Sequence, residues 1–245
     1  MILMGVVNLT PDSFREETRA MTPAAIKRRV KALMDRGCSI IDFGAVSTRP
    51  GAADVPVEEA WARLEPALAL VETVGEGTPA VSVDTTSAEI VRRVYGRIGR
   101  FIVNDISAGE DDPEILPTVA ELGLPYIAMH KRGNPRSMDA LTEYPQGVVQ
   151  AVNDYFEQFA EKAEKLGIDE WILDPGFGFA KTAEQNWELL ENLPALRHFG
   201  RPILVGVADK RFTHTPNPFA PGQAPSSQYA ERLAEERGAD ILRIH

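Results

Sequence analysis

Short apolar runs alternate along this chain with longer stretches in which apolar residues recur every three or four positions. The short runs are rich in β-branched residues and fall at 2–7, 39–44, 80–84, 101–105, 126–129, 171–174, 203–206 and 241–245. Runs this short and this apolar predict strands covered on both faces. The longer stretches predict helices at 57–74, 87–95, 113–122, 146–166, 184–193 and 226–237. One more helix is predicted after Thr22, a good N-cap followed by Pro23 at the first helical position. Ala25, Ile26, Val30, Leu33 and Met34 then recur at helical spacing until Gly37 ends the run. The region richest in Pro, Gly and Ser, 213–227, predicts a long surface loop.

Eight strands with seven helices between them predict one kind of α/β architecture. Strict alternation over about 250 residues favours a closed (β/α)₈ TIM barrel over an open doubly wound sheet. No linker or change of composition divides the chain, so residues 1–245 are expected to form a single domain.

Composition narrows the class of partner. The formal net charge is −10, from 36 acidic and 26 basic residues. That argues against general nucleic-acid binding, which needs a basic face. It leaves room for a local basic pocket, because local field outweighs net charge there. No apolar run approaches the roughly 20 residues of a membrane span. The first residues enter a strand without the basic start of a signal peptide, so a cytoplasmic setting is expected. The single cysteine, Cys38, cannot form an intrachain disulfide and is expected to be a small packing residue.

Candidate chemistry collects where strands end. Asn8, the group Ser47, Thr48 and Arg49, Asp84, Asn104, His130, Asp174, Lys210, Arg243 and His245 all stand there. Each has a plain reading. Asp84 could cap the next helix, Asn104 and Asp105 could serve a turn, and Arg243 and His245 could belong to a frayed terminus. Residues 47–51, Ser-Thr-Arg-Pro-Gly, could be a simple surface turn. In a barrel, however, those strand ends converge on the C-terminal face, where active sites of this fold lie. Acids and amides deep in such a ring, with cations beside them, suit a neutral heterocycle bearing donors and an anionic tail. The carboxylates would accept from ring N–H and amino groups, Arg243 would lie over the ring, and Asn8, Arg49 and His245 would hold the anion.

The motifs MGVVNLTPDSF, IDFGAVSTRPG, VSVDT, VNDISAG, MHKRGNP, LDPGFGFAKT, GVADKRF and LRIH occur in this order from near residue 2 to the last residue. Together they resemble the motifs of dihydropteroate synthase. The resemblance implies a (β/α)₈ barrel of the folate pathway with Mg²⁺ as cofactor. It implies that 6-hydroxymethyl-7,8-dihydropterin diphosphate and 4-aminobenzoate are joined with release of diphosphate, and that sulfonamides compete with the aminobenzoate. By motif position, Asp84, Asn104, Asp174 and Lys210 would hydrogen-bond the pterin, with Met129 packed on it and Arg243 stacked on its ring. Asn8 would ligate Mg²⁺, and Arg243 and His245 would also meet the anion. Thr48, Arg49, Pro50, Phe179 and Lys210 would line the aminobenzoate site. Asp12 and Phe14 would lie on the first loop, Asp12 acting in catalysis with Asp84, Asp174 and Lys210.

Several positions depart from that pattern. Arg15-Glu16-Glu17 follows the Ser-Phe pair where the family has an Asp, and Val46 stands for a usual Glu. Strand seven leads into Ala208-Asp209-Lys210-Arg211 instead of Ser-Arg-Lys-Ser. Arg211 replaces a Ser at the aminobenzoate carboxylate, where it would bind that carboxylate more strongly or block the pocket. The family continues into an eighth helix after the position of His245, so the barrel is expected to lack it. That loss would expose apolar surface and set a carboxylate near the anion site. A paralogue that binds a pterin or aryl acid with altered or no synthase activity is the alternative these differences raise. Pterin-presenting barrels of corrinoid methyltransfer share the acid and amide positions, but STRPG and the strand-seven Lys favour the synthase. The family's habit of pairing through helices near the C-terminus implies a possible homodimer.

Overall fold

The computed structural model describes residues 1–10, 22–46, 55–73, 79–133, 137 and 140–245. Eight parallel strands follow in chain order: β1 (Ile2–Asn8), β2 (Cys38–Gly44), β3 (Ala80–Asp84), β4 (Ile102–Asp105), β5 (Tyr126–Met129), β6 (Trp171–Asp174), β7 (Leu204–Val205) and β8 (Ile241–Ile244). Their spatial order is 6-5-4-3-2-1-8-7. A single parallel bridge between Leu173 and Ile203 joins β6 to β7, and the Leu173 N–H donates to the Pro202 carbonyl beside it. The sheet is thereby closed into a barrel.

The helices of the outer layer are α1 (Pro23–Asp35), α2 (Val57–Thr73), α3 (Ala88–Ile98), α4 (Ile115–Leu122), α5 (Val148–Leu166), α6 (Ala183–Glu191) and α7 (Ser227–Glu236). The expected cap of α1 is present, with the Thr22 hydroxyl accepting from the Ala25 N–H at 3.2 Å. Differences from the sequence reading are local. The strand expected at 203–206 keeps ladder pairing only at Leu204 and Val205. A 3₁₀ helix, Leu193–Phe199, fills the link after α6. The expected loop at 213–227 is not wholly a surface feature. It opens on a 3₁₀ turn, Arg211–His214, in which Phe212 and Thr213 are buried. Asn217 is buried too, its amide donating to Glu191 and to the Tyr229 hydroxyl.

Period-two alternation along the strands produces two separate apolar regions and one polar layer. One set of positions, including Ile41, Phe43, Val83, Val103, Ala128, Leu173, Val205 and Leu242, packs outward against the helices. The other set points into the barrel. Met4, Ile40, Ile127, Leu204 and Ile241, with Ile102 and Ile172, form a small cluster there. Two residues further along these strands stand Val6, Asp42, Asn104, Met129, Asp174, Gly206 and Arg243. The barrel is therefore plugged with apolar side chains low down and carries polar ones just above, toward its C-terminal mouth.

The same alternation separates neighbours. Asn104 faces inward, whereas Asp105 faces the helices. There Asp105 accepts from the Ser107 N–H and hydroxyl, the Gly109 N–H and the Tyr126 hydroxyl. The turn role considered for both residues belongs to Asp105 alone. Cys38 is 5 % exposed, and burial pushes its thiol up, which suits packing and not nucleophilic attack.

Candidate active site

Asp42 is the hub of the polar layer. It is wholly buried, and side chains from three other strands converge on it. The Ser82 hydroxyl donates to Oδ1 at 2.7 Å, and Asn104 Nδ2 donates to Oδ2 at 3.1 Å. Arg243 approaches with Nε at 2.9 Å and Nη2 at 2.8 Å from Oδ2. Arg243 Nη2 also reaches Asp84 Oδ2 at 3.4 Å. A carboxylate only accepts, so Asn104 must turn its NH₂ toward Asp42. The Asn104 carbonyl oxygen is left to face the cavity as an acceptor. Asp42 therefore sets both the plane of the Arg243 guanidinium and the polarity that Asn104 presents.

A cavity of about 90 Å³ lies above this hub. Asp84, Asn104 and Asp174 put acceptors into it, and Arg243, Lys210 and His245 stand around them. Met129, Ile106, Phe177 and Phe179 supply apolar walls. Eight residues singled out in the sequence are thus brought to one cavity: Asp84, Asn104, Met129, Asp174, Phe179, Lys210, Arg243 and His245. Lys210 Nζ stands 4.8 Å from the centre of the Phe179 ring, a cation over an aromatic face. Asn8 ends β1 opposite Gly44, and a Cβ at Gly44 would lie 3.7 Å from Asn8 Oδ1 and 3.8 Å from Asp84 Cβ. Asn8 therefore borders the same mouth beside Asp84. Arg211 is exposed at the start of its 3₁₀ turn and is not among the residues lining the cavity. Asp12, Phe14, Glu16, Thr48, Arg49 and Pro50 lie outside the described residues.

The segment after β6 needs glycine. Asp174 Oδ1 accepts from the Gly176 N–H at 2.8 Å, forming a tight turn. Gly176 has φ +71°, and a Cβ there would stand 2.0 Å from the His130 carbonyl oxygen. Gly178 has φ +80°, and a Cβ there would press on Lys210 Cδ at 3.1 Å. These two glycines let the β6–α6 segment pass close under His130 and Lys210.

Burial and mutual repulsion shape the charges. Desolvation, with the neighbouring Asp42 carboxylate, pushes Asp84 up to about 7 against the pull of Arg243. Burial also raises Asp174, and the Gly176 N–H and the Lys210 cation work against that rise. Lys210 is pulled down to about 8 by burial and by Arg243. Burial and Arg243 press His245 down to about 4, so at neutral pH it offers an uncharged ring. Burial opposes the charge of Arg243, but Asp42 and Asp84 more than offset that and raise it. The cavity is a set of acceptors, one of them near its titration point, with a permanent cation along one side.

Two further residues were not singled out in the sequence. Asp42 reads there as part of strand two, and its only signal is a charge inside an otherwise apolar run. Lys181 is 8 % exposed, and its ammonium bonds His130 Nδ1, the Gly176 carbonyl and the Phe179 carbonyl at 2.9, 2.9 and 3.1 Å. A lysine just before a helix reads as solvated surface, so only the fold reveals it.

The chain matches known proteins over its length. A family described as pterin binding enzyme matches residues 4–245. A dihydropteroate synthase of Synechocystis is 37% identical across 99% of this chain and 84% of its own. That of Escherichia coli K12 is 36% identical across 99% of this chain and 86% of its own. Among solved structures, Yersinia pestis dihydropteroate synthase with a sulfonamide drug complex aligns with TM-score 0.86 and 30% identity, covering 100% of this chain and 88% of that one. Xanthomonas albilineans dihydropteroate synthase with 4-aminobenzoic acid aligns with TM-score 0.83 and 36% identity, covering 100% and 87%.

Proposed function

Because the chain belongs to the pterin binding enzymes, we infer that its barrel mouth joins a pterin to 4-aminobenzoate, the reaction of its dihydropteroate synthase relatives. It is a transferase of folate synthesis. It condenses 6-hydroxymethyl-7,8-dihydropterin diphosphate with 4-aminobenzoate to give 7,8-dihydropteroate and diphosphate. The observation that carries this reading is the convergence of Asp84, the Asn104 carbonyl and Asp174 on one small cavity beside Arg243 and Lys210. Three acceptors match the N–H and amino donors along one edge of a pterin, and Met129 and Arg243 bracket the plane of its ring.

Bond making follows from that placement. The C–O bond between the pterin methylene and the diphosphate breaks, and the electron pair leaves with the diphosphate. Positive charge spreads from the methylene into the pterin, where the Asp84 and Asp174 carboxylates stabilise it. The aminobenzoate nitrogen attacks the methylene, forming the C–N bond, and passes one proton to solvent water. Arg243 meets the leaving anion as a cation and His245 as a neutral donor. Phe179 and Lys210 form the acceptor side, the ammonium held over the ring. Thr48, Arg49, Pro50, Asp12 and Arg211 belong to the same proposal through their motifs.

By its motif position, Asn8 would hold Mg²⁺ beside the diphosphate. No group of three or more His, Cys, Asp or Glu that could hold a metal occurs among the described residues. The Asn8 amide oxygen suits a hard cation such as Mg²⁺, which prefers oxygen ligands. When bound, the ion neutralises charge on the leaving group. No helix of the described residues is long and apolar enough to cross a membrane. A cytoplasmic homodimer completes the proposal.

The decisive assay follows diphosphate release, which should require the pterin diphosphate and 4-aminobenzoate together. Lys210→Ala and Asp174→Ala should each lower it by about a hundredfold to a thousandfold. Turnover that survives both substitutions would overturn the assignment of the site.

A further inference from the structure

Lys181 belongs to no strand end and is not among the residues lining the cavity. Its surroundings nevertheless differ from those of an ordinary buried lysine. All three of its donors are directed at neighbours: His130 Nδ1 at 2.9 Å, the Gly176 carbonyl at 2.9 Å and the Phe179 carbonyl at 3.1 Å. Gly176 and Phe179 are the two ends of one turn, closed by the Phe179 N–H donating to the Gly176 carbonyl at 3.1 Å. One ammonium therefore ties both ends of the turn to the end of β5.

The next residue is strained. Ala180 has φ +49°, a left-handed backbone that residues other than glycine rarely adopt, and it is 1 % exposed. Its carbonyl accepts from the Tyr144 hydroxyl at 2.9 Å. Beyond it, Asn186 closes the segment from the α6 side. Its Oδ1 accepts from the Gly178 N–H at 2.7 Å, and its Nδ2 donates to the Lys181 and Thr182 carbonyls at 3.2 and 2.7 Å. The segment 176–181 is thus held from three sides in a conformation it would not keep alone. It carries Phe177 and Phe179 to the cavity, and the Phe179 ring lies under the Lys210 ammonium.

We propose that Lys181, with Tyr144 holding the strained Ala180, is a positioning residue that fixes the Phe179 ring and so sets affinity for the acceptor substrate. The proposal rests on the reading of Phe179 as a wall of the aminobenzoate site. Burial supports it: the Asp174 carboxylate favours the ammonium through space, but among the described residues no carboxylate forms an ion pair with it. The three contacts of Lys181 are one imidazole and two carbonyls, a geometry that orients backbone and not one that neutralises charge. The side chain acts through the turn, so losing it should move the Phe179 ring and leave the Asp42 hub in place.

The test separates the two substrates. In Lys181→Met the KM for 4-aminobenzoate should rise about tenfold, since displacements well under 1 Å at a reacting site cost on that scale. The Kd for the pterin diphosphate should stay within about twofold. Tyr144→Phe removes one hydroxyl at the strained residue and should raise the acceptor KM about threefold with the pterin Kd unchanged. It decides the question should Lys181→Met not fold. An unchanged acceptor KM in the folded variants overturns the proposal. So does a parallel loss of both affinities with a lowered melting temperature, which marks Lys181 as structural only. Phe179→Ala is the control. If it leaves the acceptor KM unchanged, the placement of the aminobenzoate is wrong. If it raises that KM while the other two variants do not, the placement stands and the role of Lys181 falls.

Discussion

The cavity has a floor and a wall built on different principles. The floor is borne by strands. Asp42, Asp84, Asn104 and Arg243 leave β2, β3, β4 and β8 at positions fixed by ladder register, and they bond one another across the barrel. The wall follows β6 and β7. Phe179 and Lys210 reach the cavity from segments whose course depends on Gly176, Gly178, a strained Ala180 and the ammonium of Lys181. A parallel sheet supplies precision through hydrogen bonds that every strand already makes. A loop must obtain it from side chains recruited for that purpose. The floor should therefore fail all at once and the wall by degrees.

Asp42→Ala is the strongest test of that contrast. It removes the acceptor of Ser82, Asn104 and Arg243 together and leaves a largely buried guanidinium with Asp84 at 3.4 Å and the more distant charge of Asp174. Breaking a buried ion pair from one side costs about 3–5 kcal/mol, and the 25 % exposure of the Arg243 side chain places the expected loss near the lower figure. Urea unfolding should show a stability loss of about 3 kcal/mol. Pterin-diphosphate affinity should fall by about a hundredfold, because Asn104 and Arg243 lose their orientation together. Asp42→Asn keeps the shape and should fall between. Affinity within about threefold of the parent in the alanine variant would mean that the floor is held by the strands alone.

A smaller effect should appear with pH. Asp84 is pushed up to about 7, well above its ordinary value of 3.8. A folded-state value above the unfolded one means that the folded protein binds the extra proton between those limits. The contribution of this group to stability is therefore present at low pH and lost as pH rises toward 7. Ligand binding runs the other way. Ring donors need the carboxylate, so pterin affinity should weaken below pH 7, approaching tenfold per unit. Lys210, near 8, and His245, near 4, titrate on either side of that range. Lys181, pulled to about 7 by burial, titrates within it, and Asp84→Asn separates the two. The variant should bind more weakly at pH 8 and show a flat profile from 5.5 to 7.5. A slope that persists in the variant moves the proton to Asp174, whose carboxyl burial also raises, or to Lys181.

How much of this was legible from residues follows the same division. Strand ends are visible as polar residues closing a short apolar run, so Asp84, Asn104, Asp174, Arg243 and His245 are legible in the sequence. The expected alternation even explains why Asn104 and Asp105 part company, although which of the two faces inward depends on where the strand is counted from. Asp42 escaped because it stands two residues before the end of β2, where the run still reads as strand. Lys181 escaped for a stronger reason. Nothing in its neighbourhood along the chain announces His130, 51 positions away, or burial beneath a turn. The same holds for Asn217, whose partners are Glu191 and Tyr229. Period and propensity report the elements a chain makes. They do not report which polar side chain is drawn under a neighbouring loop.

Arg211 gives the finest test, because residue type and position point in opposite directions. Its motif position implies contact with the aminobenzoate carboxylate, and a guanidinium is well suited to fork that group. Its side chain is exposed, and the cavity is lined by the preceding Lys210 instead. An exposed cation contributes about 0–1 kcal/mol to an ion pair and is screened by salt. Arg211→Ser should therefore raise the acceptor KM by less than about threefold near 0.15 M salt, with a somewhat larger effect at low salt. Pterin-diphosphate affinity should not change. A rise of tenfold or more that persists at high salt would place Arg211 in a desolvated grip on the acceptor. The wall would then extend past Lys210, and its precision would depend on a charge carried by a 3₁₀ turn as well as on the segment that Lys181 holds.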